Sequence, residues 1–243
     1  MSETRQRGFA VTALVLRKIE YADSDLVVLA LTETLGPISV IARSARASKR
    51  RFSGGIEPFH SLRLDLEQPR KGELLRLRDT QIEIPRYRLV QSYPALDIAG
   101  RALAWVRKTT VAHSAEPGIY RASTRLLDHL DREPPTSISA GEVRLCQFGL
   151  VLLNELGWAL ELGRCVRCSR PCPPDAPATL DPRQGGLVCR RCGGARHRLT
   201  ADLRQRMLAM GRDEAVALEP GQTSEVISLI EAALLAHSGV ETL

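Results

Sequence analysis

The sequence predicts a multidomain α+β fold, in which a barrel of short strands precedes a helical region that carries an insertion. Apolar and polar residues alternate over the first 85 residues, which is typical of strands. From Pro94 onward the apolar residues recur at helical spacing instead. Two Cys-x-x-Cys pairs, Cys165/Cys168 and Cys189/Cys192, then interrupt the helical part.

Five apolar runs with few residues between them predict five strands in the N-terminal part of the chain. The runs are 9–17, 26–32, 36–42, 60–67 and 72–84. Five short strands within about 80 residues fit a small antiparallel barrel such as an OB-fold. An SH3-like barrel is the alternative, because a count of strands does not separate the two.

Helical periodicity predicts five helices after the barrel. The third has an apolar face that includes Phe148, and we expect it to begin at a capping box formed by Ser139 and Glu142 and to end at Gly157. The last two are predicted over 200–218 and 223–236, on either side of Pro220.

The four paired cysteines predict a zinc ribbon that holds one structural Zn²⁺. Two short knuckles can turn four thiolates toward one point, and the proline-rich stretch between them does not favour a helix. Two disulfides or a redox dithiol would need an oxidising compartment, which nothing in the sequence indicates. Four protein ligands leave no open coordination position, so we expect no catalysis there. Cys172 and His197 are expected to be bystanders, and Cys146 a small buried residue.

Charge favours a polyanionic partner. The net charge is +6 and the isoelectric point is about 9.2. The charges of the rest of the chain nearly balance. Most of the net charge comes from five cations with no acid among them: Arg43, Arg46, Lys49, Arg50 and Arg51. A solvated loop is the alternative for such a run, and we favour contact with nucleic acid because the same chain carries a ribbon.

Motifs of the common enzymes are absent from the sequence. It contains no phosphate-binding glycine loop, no His-Glu-x-x-His and no Gly-x-Ser-x-Gly, and its five histidines are scattered. We therefore expect a protein that is not an enzyme. The first residues resemble neither a signal peptide nor a membrane span, so we expect a cytoplasmic, nucleoid-associated protein without a membrane partner.

The order and spacing of several short motifs resemble the bacterial recombination mediator and DNA repair family RecO. Each motif is weak alone, and one departure is Ser169, where the family usually has Gly. The motifs are Leu31-Thr32-Glu33-x-x-Gly36, residues 40–46, residues 54–59, the stretch from Phe148 to Trp158, Cys165-Val166-Arg167-Cys168, and Gly185 to Cys192.

The resemblance implies an N-terminal OB-fold domain over 1–85, a helical domain over 86–164 and 197–243, and a zinc-ribbon insertion over 165–196. It also implies binding of single- and double-stranded DNA and annealing of complementary strands. Cooperation with RecR, to load RecA onto strands coated by single-stranded-DNA-binding protein, rests on the resemblance alone. A zinc-ribbon transcription or RNA-binding factor is the alternative class.

Two kinds of contact are expected in this interpretation. With only 4% aromatic residues, the chain should bind DNA mainly through phosphates, with Phe52 as the one plausible exposed stacking residue. The family meets the acidic, apolar-ended tail of single-stranded-DNA-binding protein on its helical domain. Such a tail needs a cation and an apolar pocket, for which we predict Arg144 and Phe148.

Overall fold

The computed structural model describes residues 8–47, 52, 55–68, 74–212 and 214–239. Two compact units make up the structure. The first consists of the described residues up to Ser92 together with Thr110–Glu133, and the second of Tyr93–Thr109 with the described residues from Pro134 onward. The division into the three predicted domains stays a prediction.

Five strands close into a barrel in the first unit. Their order around the barrel is β1-β2-β3-β5-β4, with β1 also paired to β4, and all pairs are antiparallel except β3 with β5. This order is OB-like and decides against the SH3-like alternative, so the predicted barrel is confirmed. The strands are β1 Gly8–Tyr21, β2 Asp25–Thr32, β3 Gly36–Ala42, β4 Ser61–Glu67 and β5 Leu75–Ile84.

The long first strand closes the barrel because it pairs with two neighbouring strands. Its first half pairs with β4, from Gly8 to Leu14, and its second half pairs with β2, as far as Tyr21. The register shifts between Val15 and Arg17, so a bulge bends the strand between its two partners. Alternate residues of the strands fill the interior with apolar side chains.

Phe52 belongs to that interior. It is 8% exposed and packs in the barrel core, so the expectation of an exposed stacking side chain was wrong. Its polar sequence neighbours suggested exposure, but the side chain packs among the apolar residues of the barrel interior.

Two helices complete the first unit, α1 Tyr87–Val90 and α3 Pro117–Arg132. Arg86, which is 1% exposed, connects them to the barrel: its Nε donates to Asp128 at 2.8 Å and its Nη1 to the carbonyl of Phe59 at 2.8 Å. The Arg86 amide donates to Nδ1 of His60 at 2.9 Å.

Four helices and a small sheet make up the second unit. The helices are α2 Tyr93–Thr109, α4 Ile138–Glu155, α5 Ala201–Gly211 and α6 Pro220–Ser238. Helix α4 lies at the centre, where a Cβ on Gly149 would come within 2.8 Å of both Trp105 and Ile230. The absence of a side chain at Gly149 therefore lets α2 and α6 approach α4 closely.

Helices α4, α5 and α6 have boundaries that differ from the predicted ones, and the short helix α1 was not predicted. Helix α4 begins after Ser137, whose hydroxyl accepts from the Ala140 amide at 3.1 Å, so the capping box predicted at Ser139 was wrong. Ser139 lies within the first turn. Helix α5 ends at Gly211 rather than at 218. Helix α6 begins at Pro220 rather than at 223 and ends at Ser238 rather than at 236. Among the described residues, no helix has the length and apolar character needed to cross a membrane.

Candidate metal centre and basic surfaces

The ribbon is a four-stranded sheet in the second unit. Its strands are β6 Glu161–Cys165, β7 Ala178–Asp181, β8 Gly186–Leu187 and β9 His197–Leu199, in the order β6-β8-β7-β9. Strands β6 and β8 are parallel, so the two knuckles leave the sheet side by side. The strands approach closely at Gly186, where a Cβ would lie 2.5 Å from the carbonyl oxygen of Glu161.

The four paired cysteines converge as the spacing predicted. The Sγ atoms of Cys165, Cys168, Cys189 and Cys192 all lie within 4.8 Å of one another. Cys165 is 2% exposed, whereas Cys168 is exposed. The group can therefore hold a metal ion with one ligand anchored in the ribbon interior and one near the solvent.

Backbone amides point at the sulfur atoms and favour their thiolate forms. The Cys189 amide donates to Sγ of Cys165 at 3.3 Å, and this hydrogen bond lowers the pKa of Cys165 to about 6. The Cys192 amide lowers the pKa of Cys189 in the same way. Hydrogen bonding with the Cys168 sulfur raises the pKa of Cys192 to about 12, so the metal-free group retains a proton that a bound cation would displace.

Arg167, inside the first Cys-x-x-Cys pair, fastens the two knuckles together. Its Nη1 donates to the carbonyl of Cys192 at 2.8 Å and its Nε donates to Gln184 at 2.7 Å. The amide of Val166 adds a bond to the carbonyl of Leu187 at 2.8 Å. Sequence analysis missed this role, because an arginine between two cysteines gives no local sign of its long-range partner.

The spare donors lie apart from the four-cysteine group. Arg204, on α5 and 1% exposed, donates from Nη1 to Sγ of Cys172 and from Nη2 to the carbonyl of Pro173. His197 is exposed at the start of β9. Cys146 is fully buried in α4, and burial raises the pKa of its thiol to about 12, which agrees with its expected role as a small apolar residue.

The structure describes two of the five predicted DNA-contact residues. Arg43 and Arg46 are exposed on the turn that follows β3, while Lys49, Arg50 and Arg51 lie outside the described residues. The turn is tied to the barrel, because the Arg46 amide donates to the carbonyl of Ser24 at 3.0 Å and the Ser44 amide donates to Asp25 at 2.7 Å.

An exposed tyrosine lies at the same end of the barrel. Tyr21 is the last residue of β1 and is 56% exposed. Its neighbour Glu20 forms an ion pair with Arg46, with Oε2 and Nη1 separated by 3.1 Å. Sequence analysis gave Tyr21 no role, because the contact of the β1–β2 hairpin with the turn after β3 is not visible in the sequence.

The predicted peptide-binding residues lie on α4. Arg144 is half-buried and donates to Gln147 at 3.3 Å, and Phe148 is 4% exposed. Phe148 is thus almost entirely buried. The peptide site stays a prediction.

The order of these parts along the chain defines a class of protein, in which an OB-like barrel is followed by helices that carry a four-cysteine ribbon. The family model for the recombination protein O N-terminal region matches residues 2–85, and that for its C-terminal region matches residues 91–240. The DNA repair protein RecO of Geobacter sulfurreducens is 32% identical over 228 residues, which cover 93% of this chain and 90% of the relative. That of Myxococcus xanthus is 33% identical over 181 residues, or 74% and 71% of the two chains. The chain belongs to the RecO family of DNA repair proteins.

Proposed function

We propose that the protein is a recombination mediator that binds single- and double-stranded DNA and anneals complementary strands by holding phosphates rather than bases. The observation that carries this proposal is the exposed, cationic end of an OB-like barrel in a chain of the RecO family. OB-folds commonly bind single-stranded nucleic acid. The protein would act by binding, without a catalytic step.

Phosphate contact would begin at Arg43 and Arg46 and continue into Lys49, Arg50 and Arg51. Arg43 is exposed and forms no ion pair with an acid in the described part of the chain. Arg46 is held only by an exposed pair with Glu20, and such pairs contribute little free energy in water. Both guanidinium groups can therefore turn to a phosphate at small cost.

Annealing follows from what the barrel surface offers to the bases. Proteins that stack bases on aromatic side chains gain about 1–3 kcal/mol per base and so oppose pairing. Phe52 is buried, and Tyr21 is the exposed aromatic side chain at this end of the described barrel. A surface that neutralises two backbones and leaves most bases free would allow complementary strands to pair.

The four-cysteine group would hold one structural Zn²⁺. Four sulfur ligands suit this ion, which prefers tetrahedral thiolate coordination. With Cys165, Cys168, Cys189 and Cys192 all bound, the ion would keep the two knuckles together and leave no position for substrate.

A salt titration of DNA affinity tests the barrel surface. We expect Arg43→Ala/Arg46→Ala to weaken binding of all DNA sequences alike and to reduce the slope of log K against log salt by about 0.7–0.9 per lost phosphate contact. The control Arg121→Ala/Arg132→Ala removes the same charge from exposed positions on α3. Equal effects of the two variants would contradict a specific role for the turn.

Partners are proposed from the family alone: RecR, the tail of single-stranded-DNA-binding protein at Arg144 and Phe148, and indirectly RecA. Reversing the charge at Arg144 should weaken binding of a tail peptide and leave DNA affinity unchanged. Unchanged peptide affinity would move that site elsewhere. A zinc-ribbon transcription or RNA-binding factor would share the metal and the charge, and absence of strand annealing would favour it.

A further inference from the structure

The ribbon is the second cationic region of the protein. Residues 161–199 contain eight arginines and three acids, which gives this segment a net charge of +5 in a chain whose total is +6. Each of the eight arginines is exposed. Outside residues 43–51 the positive and negative charges nearly cancel. They do so because the basic ribbon is offset by an excess of acids in the rest of the chain.

Local partners account for some of these arginines. Nε of Arg164 lies 3.2 Å from Oε2 of Glu161, Arg167 fastens the knuckles, and Arg183 is beside Asp181. The other five form no ion pair or side-chain hydrogen bond with any residue in the described ranges: Arg170, Arg190, Arg191, Arg196 and Arg198. These five positive charges are available to an external anion.

Three of the five line one cleft. Arg170 follows the first knuckle, Arg190 lies in the second, and Arg198 lies on β9, and together they border a cleft of about 400 Å³. The remaining lining is mostly apolar or small, and it includes Pro171, Leu187 and Val188 together with Cys165 and Cys189 of the four-cysteine group. Three like charges around one cleft repel each other, so an anion bound there would relieve that repulsion.

We propose that this cleft binds the phosphate backbone of a nucleic-acid strand and gives the protein a second DNA-binding site, on its second unit. The planar guanidinium group matches the geometry of a phosphate and can bind it through two hydrogen bonds. Arg191 and Arg196, which lie between Arg190 and Arg198 in the sequence, add two further exposed positive charges to the same segment. The apolar walls suit the sugar and base faces between phosphates.

The inference rests on the proposed function, since it requires that the protein bind DNA, and it adds a site that the barrel does not supply. Two separate cationic surfaces would allow one chain to hold two strands, or two parts of one strand. An acidic peptide is the other kind of polyanion, and the test below includes it.

Fluorescence anisotropy of the full-length protein with a labelled single-stranded oligothymidylate tests the cleft. The variant Arg190→Ala/Arg198→Ala removes two cleft charges, and the control Arg164→Ala/Arg183→Ala removes two ribbon charges outside the cleft. We expect the cleft variant to bind on the order of tenfold more weakly at about 0.1 M salt and to lose about 1.4 from the salt slope. The control should keep the affinity and slope of the unaltered protein. Equal metal content and circular dichroism show that each variant is folded.

The outcomes distinguish failure of the ribbon site from failure of the proposed function. If the unaltered protein binds the oligonucleotide and the cleft variant keeps its affinity and slope, the ribbon site is wrong and the barrel proposal stands. If the unaltered protein does not bind, the proposed function fails. If the cleft variant loses binding of a polyglutamate peptide but not of DNA, the cleft serves an acidic protein partner and the inference is overturned.

Discussion

Cys168 and Cys189 lie on different knuckles of the ribbon, and their Sγ atoms are 3.7 Å apart. A tetrahedral zinc with bonds of about 2.3 Å places its sulfur ligands about 3.8 Å from one another. The two knuckles therefore already stand at the spacing of ligands on one ion, although they are separated by 21 positions in the sequence. The β6–β8 pairing and the Arg167 contacts hold them there.

We predict that purified protein contains about one zinc per chain and that Cys168→Ser lowers zinc retention and loosens the ribbon, because structural zinc contributes directly to folding. Elemental analysis and protease sensitivity of the ribbon measure the two effects. The control Cys172→Ser alters a thiol that lies outside the four-cysteine group and should keep the metal. A metal-free preparation that is stable, fully folded and reactive at all four thiols would contradict the prediction.

Ser169 adopts a left-handed backbone conformation, with φ of 57°, directly after the first knuckle. Gly193 occupies the corresponding position after the second knuckle, with φ of 102°. A Cβ in this conformation costs roughly 1–2 kcal/mol, and a glycine avoids most of that cost.

We therefore predict that Ser169→Gly raises the free energy of unfolding of the ribbon by about 1 kcal/mol, because the gain exceeds the added entropy of the unfolded chain. Denaturant titration of the metal-bound protein measures it. Ser169→Ala retains the Cβ and serves as the control, with little expected change. A loss of stability in Ser169→Gly would show that the Ser169 side chain makes a contribution larger than the strain.

His60 should make the stability of the first unit dependent on pH. Burial, and then the nearby Arg86 guanidinium, lower the pKa of His60 below its ordinary value of 6.5, against weaker opposing effects of Glu57 and Asp131. The unfolded chain therefore takes up the proton first as the pH falls through 6.5. Stability is fully present above that pH and declines below it.

The variant His60→Gln keeps an acceptor for the Arg86 amide but does not titrate. We predict that the decline in unfolding free energy below pH 6.5 is smaller in this variant than in the unaltered protein. Denaturant titrations at several pH values check it. Identical pH profiles for the two proteins would mean that His60 does not take up a proton on unfolding in this range.

Local pattern was enough to predict the strands of the barrel and the grouping of the four cysteines, but not the contacts that depend on distant residues. The alternation of β1 marks a strand, yet its pairing with both β2 and β4 depends on a bulge that no local signal marks. Phe52 was expected to be exposed because its neighbours are polar, whereas its side chain is buried among distant apolar residues of the barrel. Ser137 and Ser139 are equivalent as capping residues by composition, and only the backbone geometry selects Ser137.

The candidate functional residues also divide into those that local sequence predicts and those that it does not. Cysteine spacing was enough to predict that the four sulfur atoms converge, because each knuckle is a local structure. The arginine cleft assembles Arg170, Arg190 and Arg198 from three separate segments, so no window of sequence reveals it. In the sequence, this cleft is indicated only by the summed positive charge of the ribbon. A search for consecutive cations does not detect that charge.

Acceleration of strand annealing is the property that distinguishes a recombination mediator from a protein that only binds DNA. Complementary oligonucleotides, each coated with single-stranded-DNA-binding protein, are mixed with and without this protein, and duplex formation is followed by fluorescence quenching. The account predicts that the protein accelerates annealing, and that Arg43→Ala/Arg46→Ala accelerates it less than the α3 control variant does. Tight, salt-dependent DNA binding without any acceleration of annealing would contradict the account and favour a binding factor of another class.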